Sequence, residues 1–300
     1  MPLIPGRAGS EVAYVLLVLL LTPALRAETH KTDPTWLHRY LAGVGTPPSS
    51  GNGSEPCYYQ PLFGQGDPEA SSLRSVTRFG ELRVAPHANC PDATASREEE
   101  CLFVLSGSGG IEYGNQPHAL RRGDFTYLHP NLKHSFQNAA EAPLRVIVMG
   151  FRIPPKISIT ATAPDPKIIN LDQVKEELVN GHPSSVEYKL MAGPRTGKRD
   201  AIDHAYVMTS LVLMDFVPGG TNWPHHHETA EEIYLVLDGE GDIVAGSGMD
   251  GVEGRFPAKA GDAYFFRANC TVGFYNQDRP GAKAHILAVR SLIPLPTEID

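Results

Sequence analysis

The chain has 300 residues, enough for one large or two ordinary domains, and its 41% hydrophobic and 20% charged content is that of a globular protein. A formal net charge of −8 with no Lys/Arg block makes duplex nucleic acid and anionic membrane surfaces poor partners. Abundant Gly (29) and Pro (26) favour many turns and short strands over long helices.

Residues 1–27 read as a signal peptide. Arg7 precedes an apolar run from Val12 to Leu21, Pro23 breaks it, and Leu25-Arg26-Ala27 offers a cleavage site. The run is too short to span a bilayer as a helix, so the mature protein is expected in a secretory, extracellular or periplasmic compartment. A plain apolar N-terminus is the alternative, because Glu11 and a single basic residue make a weak leader. Four cysteines, Cys57, Cys90, Cys101 and Cys270, allow three pairings. Turn-rich surroundings favour Cys57 with Cys90, and four unpaired thiols are the alternative. Asn52-Gly53-Ser54 and Asn269-Cys270-Thr271 fit the glycosylation sequon.

An N-terminal extension, 28–74, shows one helical hint over Trp36–Leu41 and then a loop rich in Gly, Ser and Pro. From 75 to 155 short apolar or alternating runs recur: Leu82–Val84, Cys101–Leu105, Phe125–Leu128 and Leu144–Phe151. Turn signals such as Ser106-Gly107-Ser108-Gly109 separate them, which predicts an antiparallel sandwich or barrel. The acidic triplet Glu98-Glu99-Glu100 reads as a solvated strand end with only Glu100 turned inward. A linker, 156–200, follows Pro154-Pro155 and predicts a short amphipathic helix over Leu171–Val179, capped by Asn170 and stopped at Gly181. Over 201–300 the β-pattern returns at Ile233–Leu237, Ala263–Phe266 and His285–Arg290. Two copies of one β-unit joined by a linker account for this repeat.

The chemistry-bearing stretch runs from Gly219 to Gly239. His225 and His227 are two apart and share a strand face, leaving His226 outside. The next strand supplies Glu232. Two imidazoles and a carboxylate leave open positions on a metal and suit Fe(II), Mn(II) or Ni(II).

These residues resemble the cupin family. Gly219, His225, His227, Glu232 and Gly239 fall at every spacing of its first motif, and Gly261, Asp262 and Asn276 match its second, whose His position is held here by Val272. The resemblance implies an all-β chain with two double-stranded β-helix (jelly-roll) barrels and a short helical linker. In the first copy Arg122-Gly123-Asp124, Pro130, Asn131, His134 and Asn138 match the second motif, and Glu100 and Gly107 match the end of the first. Its His-x-His positions fall on Ala93 and Ala95, so that barrel is expected to be structural and metal-free unless His87 rescues a site. The layout of leader, degenerate first barrel and metal-bearing second barrel is similar to that of ureidoglycine aminohydrolases. The Glu-x-His…His…Gln pattern of those enzymes is lacking.

One divalent metal, Mn or Fe with Ni and Zn as alternatives, is therefore expected on His225, His227 and Glu232. Tyr275 and Gln277 are candidates for the position Val272 leaves. His204, Arg267 and Tyr275 are candidate contacts for an anionic substrate, while Trp223, Tyr264, Phe266, Phe274 and Tyr275 read first as barrel core. The expected activity is metal-dependent, dioxygenase-like or hydrolase/decarboxylase-like, on a small organic acid or ureide. The alternative is a non-catalytic binding or storage protein in which the metal staples the barrel. A homo-oligomer is compatible with either.

Overall fold

The computed structural model of the protein describes residues 35–44, 55–114, 116–160, 166–246 and 253–294. The expected leader with its cleavage site and the Asn52 sequon lie outside the described residues. No helix among the described residues is long and apolar enough to cross a membrane. The architecture is all-β, with two barrels each built from a large and a small sheet.

In the first barrel the large sheet runs, in spatial order, Ile168–Asn170, Asp124–Leu128, Glu98–Ser106, Leu144–Arg152, Val76–Val84 and Cys57–Gly64. Its small sheet holds Ala88–Asn89, His134–Asn138, Ser108–Tyr113 and Gln116–Arg121. The second barrel repeats the plan. Its large sheet runs Trp36–Tyr40, Asp262–Phe266, Ala230–Asp238, Ala284–Leu292, Met208–Phe216, Val186–Pro194 and Glu176–Glu177, with Ile202–Ala205 beside Val186–Pro194. Its small sheet holds Glu253–Lys259, Glu240–Gly246 and Thr271–Asn276.

Side-chain alternation sorts each strand of the large sheets between two cores. Along Ala230–Asp238, Tyr234 and Val236 enter the second barrel while Ile233 and Leu235 enter an apolar layer shared by both barrels. Along Glu98–Ser106, Leu102 and Val104 fill the first barrel while Cys101 and Phe103 join the shared layer. Phe63 and Phe265, from different barrels and both fully buried, meet there with ring centroids 6.0 Å apart.

The same alternation resolves the acidic triplet. Glu99 is fully buried, contrary to the solvated strand end that its sequence suggests. Its carboxylate accepts from the backbone N–H groups of Val207 (2.9 Å), Met208 (2.7 Å) and Tyr206 (2.5 Å), at the start of Met208–Phe216, and from the Tyr127 hydroxyl (3.1 Å). Glu231 does the reciprocal. Its carboxylate accepts from the backbone N–H groups of Arg74 (2.7 Å), Ser75 (2.8 Å) and Val76 (3.1 Å) and from Ser75 Oγ (2.7 Å), where the first barrel begins. A buried charge is tolerable only with such a full set of donors.

The barrels also exchange edge strands. Trp36–Tyr40 precedes the first barrel yet pairs with Asp262–Phe266 of the second. Ile168–Asn170 precedes the second barrel yet pairs with Asp124–Leu128 of the first. The helix suggested over Trp36–Leu41 is therefore a strand. Its alternation fits the sheet: Leu37 enters the shared layer while Trp36 and His38 lie against Phe256 and Tyr264.

The helix expected over Leu171–Val179 is also corrected. Asn170 does cap, with Gln173 completing a capping box, but only one 3₁₀ turn forms, Leu171–Gln173. Val174 is already extended, the Lys189 ammonium ties the carbonyls of Leu171 and Val174, and Glu176–Glu177 pairs with Val186–Pro194. Pairing on both sides of the turn overrides a marginal helix.

Cys57 and Cys90 form a disulfide across 33 residues, while Cys101 and Cys270 are buried and unlinked. The bond ties the edge strand Cys57–Gly64 to the segment entering the small sheet. Replacing both cysteines by serine should lower stability by about 3–4 kcal/mol, the value a loop of this length gives in the chain-entropy account. Denaturant melts of the variant and the parent under non-reducing conditions check it, and equal midpoints would contradict it.

Candidate metal centre

The segment 221–229 reaches the second barrel through three anchors. Asn222, 3% exposed, donates to Tyr234 Oη at 2.8 Å and accepts from the Phe274 N–H at 2.8 Å. His225 then forms an isolated bridge with Val272, with N–H···O distances of 2.9 and 2.8 Å. The His227 carbonyl accepts from the Asn269 N–H at 2.9 Å. Between these anchors the alternation holds: His225 and His227 are half-buried and His226 is exposed.

One donor atom from each of His225, His227 and Glu232 lies within 4.8 Å of the others, the single such group among the described residues. The two imidazoles meet edge to face with centroids 5.0 Å apart. His225 Nδ1 lies 2.8 Å from the Trp223 carbonyl, which fixes the ring and leaves Nε2 for a ligand. Glu232 Oε2 is buried and lies 3.1 Å from His227 Nε2, yet it has no hydrogen bond of good direction. A carboxylate oxygen left orphaned between two imidazoles is a donor set that a divalent cation satisfies. Burial raises the Glu232 pKa, but His227, Arg290 and His225 outweigh it and hold the carboxyl below its ordinary range.

Arg290 completes the inner wall and went unnoticed in the sequence. It pairs with Glu232 across the sheet, and its Nε donates to Thr209 Oγ1 at 3.2 Å. Its Nη1 lies 3.2 Å from His227 Nδ1 and 3.1 Å from Nε2. Equal reach to both nitrogens requires the guanidinium to lie over the ring face, which leaves the in-plane lone pair of the neutral imidazole to a metal. The signal was present: Ile286, Ala288 and Arg290 share a face, so an arginine ends an otherwise apolar inward row. His182, from the turn between Glu176–Glu177 and Val186–Pro194, was also missed. Its ring meets His225 with centroids 5.7 Å apart, and its Nδ1 lies 3.0 Å from Tyr188 Oη. Burial and the neighbouring His225 lower its pKa.

The residues expected to touch substrate are not brought together. His204 lies against Tyr127 of the first barrel, with centroids 5.9 Å apart, at the seam between barrels. Arg267 is half-buried just past Phe266, the residue paired with Glu232, and its backbone N–H donates to the Thr35 carbonyl at 3.0 Å. Tyr275 lies on the outer face of its strand beneath the Arg255 guanidinium, 3.8 Å from Cζ to ring centroid. Three residues from Val272, it faces away from the pocket. Gln277 shares the outer face and lines a surface cleft with Tyr275 and Arg255. Neither fills the position that Val272 occupies. Of the aromatics read as core, Tyr264, Phe266 and Phe274 are buried, but Trp223 is 57% exposed.

The first barrel shows what the position of Val272 can do. Ala93 bridges His134 there as His225 bridges Val272, and His134 Nε2 reaches Glu100 Oε2 at 3.7 Å. A side chain at that position therefore points at the barrel's carboxylate. The cation beside Glu100 is the Arg78 guanidinium, which pairs closely with it and also binds Glu98 at 2.9 Å. Arg78 stands opposite Gly150, and Arg290 opposite Ser210, so the barrels bring their guanidinium from opposite members of the equivalent strand pair. His87 is on the surface, 3.2 Å from Glu141, and takes no part.

The family model described as the cupin domain matches residues 80–150 and 212–288. No curated protein matches the chain in sequence. Solved structures similar to it include Escherichia coli protein Ylba (16% identity, 86% of this chain and 92% of that one, TM-score 0.59). Oxalate decarboxylase from Lactobacillus farciminis is similar as well (12%, 86% of each chain, 0.57). So is oxalate decarboxylase from Bacillus subtilis (15%, 76% and 71%, 0.54). At these identities the likeness is one of fold.

Burial pushes Glu100 up to about 7 against the pull of Arg78, and burial with Arg78 pushes His134 down to about 4. The two act oppositely on stability. The depressed His134 contributes stability that is lost as pH falls from its ordinary value of 6.5 towards 4; the raised Glu100 removes stability as pH rises from 4.5 towards 7. Glu100→Gln should therefore be less stable at pH 4.5 than at 6.5, and His134→Gln less stable at 6.5 than at 4.5. The slope is at most about 1.4 kcal/mol per pH unit. Urea melts across that range check it; two variants with slopes of the same sign would refute it.

Proposed function

The chain belongs to the cupin superfamily as a two-barrel protein, and from that premise we propose that it is a metal-dependent enzyme acting on a small organic acid. His225, His227 and Glu232 would hold one divalent ion, manganese or iron. The observation that carries the reading is the orphaned Glu232 oxygen facing two imidazoles within 4.8 Å. A bound ion supplies Lewis-acid polarisation of a chelated oxygen, or redox access to dioxygen if it is iron.

The remaining chemistry belongs to the chain. Val272, 1% exposed, offers no donor, so three protein groups leave room for a bidentate substrate. Arg290 places a positive charge at the edge of the triad and would hold a substrate carboxylate there. The His182–Tyr188 pair bounds the pocket beside His225 and could donate to a bound oxygen. The fold shared with oxalate decarboxylases supports this class of substrate, and the Bacillus subtilis enzyme has Mn(II) centres. A surviving three-ligand set weighs against the stapled storage protein, which has no need of open positions.

Elemental analysis should find one divalent metal per chain, lost in His225→Ala, His227→Ala and Glu232→Ala. Full content in all three would sink the assignment. Val272→His should bind metal more tightly and lose turnover, because it fills a position the substrate needs. Arg290→Leu should raise KM for acids by about 10- to 100-fold, the equivalent of one charge-assisted hydrogen bond. Activity measured on a panel of small acids, with oxygen uptake followed in parallel, separates oxygenase from non-redox chemistry. A panel with no turnover on metal-loaded protein would favour a binding role.

We propose further that the protein is secreted and matures near Glu28. The Cys57–Cys90 disulfide supports an oxidising compartment. N-terminal sequencing of native material tests it, and an intact Met1 would refute it.

A further inference from the structure

We propose that the first barrel sets the geometry of the metal centre in the second, with Glu231 as the positioning residue. The proposal rests on the metal reading above and concerns what holds that site in shape.

Glu231 and Glu232 are consecutive on one strand, so their side chains leave on opposite faces. Glu232 enters the second barrel beside His227, while Glu231 enters the layer between barrels and is 1% exposed. There four donors converge on its carboxylate, all from Arg74, Ser75 and Val76 of the first barrel. Ser75 Oγ also lies 2.7 Å from Ser291 Oγ, and Ser291 is 0% exposed. Ser291 is the neighbour of Arg290. One short segment of the first barrel thus grips the residues adjacent to both the metal carboxylate and the guanidinium beside it. Glu231 itself pairs with Ser291 across the sheet.

The grip falls where the ligand strand needs it. Glu228 and Thr229 form an exposed turn, and Glu231 is the second residue of Ala230–Asp238. Strand ends fray unless tied, and Glu232 is only one residue further in. Fixing Glu231 by four hydrogen bonds fixes the backbone from which Glu232 projects. Groups outside the ligand set that orient ligands in this way change metal affinity by about 10- to 100-fold when removed.

The fold supplies an internal control. Glu99 occupies the same place in the first barrel, is equally buried, and accepts from Tyr206, Val207 and Met208 of the second. Its neighbour Glu100 is paired with Arg78 and belongs to no His-x-His set. A role confined to joining the barrels makes the two glutamates alike. A positioning role makes them differ.

The experiment titrates full-length Glu231→Gln, Glu99→Gln and parent protein with Mn(II), reading free ion by its EPR signal, and records the melting temperature of each. Both variants should melt lower than the parent. Glu231→Gln should bind Mn(II) at least about tenfold more weakly, and Glu99→Gln should stay within about threefold of the parent. Ser75→Ala, which keeps the carboxylate and removes the hydroxyl shared by Glu231 and Ser291, should weaken Mn(II) binding in the same direction by a smaller factor. It decides the matter if Glu231→Gln does not fold. Parent-like affinity in Glu231→Gln, or in Ser75→Ala where that variant decides, overturns the positioning role. Equal loss in Glu231→Gln and Glu99→Gln also overturns it. A parent that binds no Mn(II) overturns the metal reading itself and the positioning role with it.

Discussion

Two wholly buried carboxylates, Glu99 and Glu231, each held by donors from the other barrel, are the constraint on which the rest of this molecule hangs. Removing a carboxylate from water is costly, and the cost is offset only where several N–H groups converge on it. Here those groups are the N–H groups at the start of Val76–Val84 and of Met208–Phe216. Each barrel thereby satisfies the other's exposed strand start. Separating the barrels would strip both carboxylates of these donors and expose the shared apolar layer to water, so the two hold together as one body.

The edge-strand exchange works in the same direction. Trp36–Tyr40 and Ile168–Asn170 each precede one barrel and complete the sheet of the other. Asn170 donates to Asp124 at 2.7 Å, and His38 lies 2.8 Å from Asp262 at the matching place. The glycine-aspartate turn of each barrel is thus read by a side chain that arrives from outside it. A barrel with a degenerate site can persist in such an arrangement, because its sheet, its strand starts and its turns serve its partner.

Much of this was legible in the sequence, for reasons that differ by residue. The spacing of His225, His227 and Glu232 foretold a shared face because strand alternation is a short-range rule, and the structure gathers their donor atoms within 4.8 Å. The recurrence of short apolar runs between turns foretold two all-β units, and the cupin resemblance implied that they are barrels. Trp36–Leu41 and Leu171–Val179 were misread as helices because each is short, and sheet pairing with residues more than forty positions away, or on both flanks, decided them. Glu99 and Glu231 look like surface charges, since what buries them is a barrel that starts over a hundred residues away along the chain. Tyr275 was placed at the pocket although alternation from Val272 puts it outside, a rule available in the sequence and not applied there. His182 carried no signal at all: its place beside His225 depends on how the linker returns.

The two pockets, compared position by position, differ in whether the carboxylate is closed by a guanidinium or left open to a cation. Each has a glutamate on the ligand strand and a guanidinium from the neighbouring strand pair. In the first, Ala95 stands where the second has His227, no imidazole lies there, and the Arg78 guanidinium closes directly on Glu100. In the second, His227 stands between the guanidinium and the carboxylate, with Arg290 over the ring face and Glu232 left with an unsatisfied oxygen. A guanidinium that reaches the carboxylate neutralises it and removes the reason to bind a cation. Held off by an imidazole, the same charge stands beside the triad and leaves the carboxylate oxygen open. The difference between a closed ion pair and a carboxylate left open therefore turns on what stands between one arginine and one glutamate.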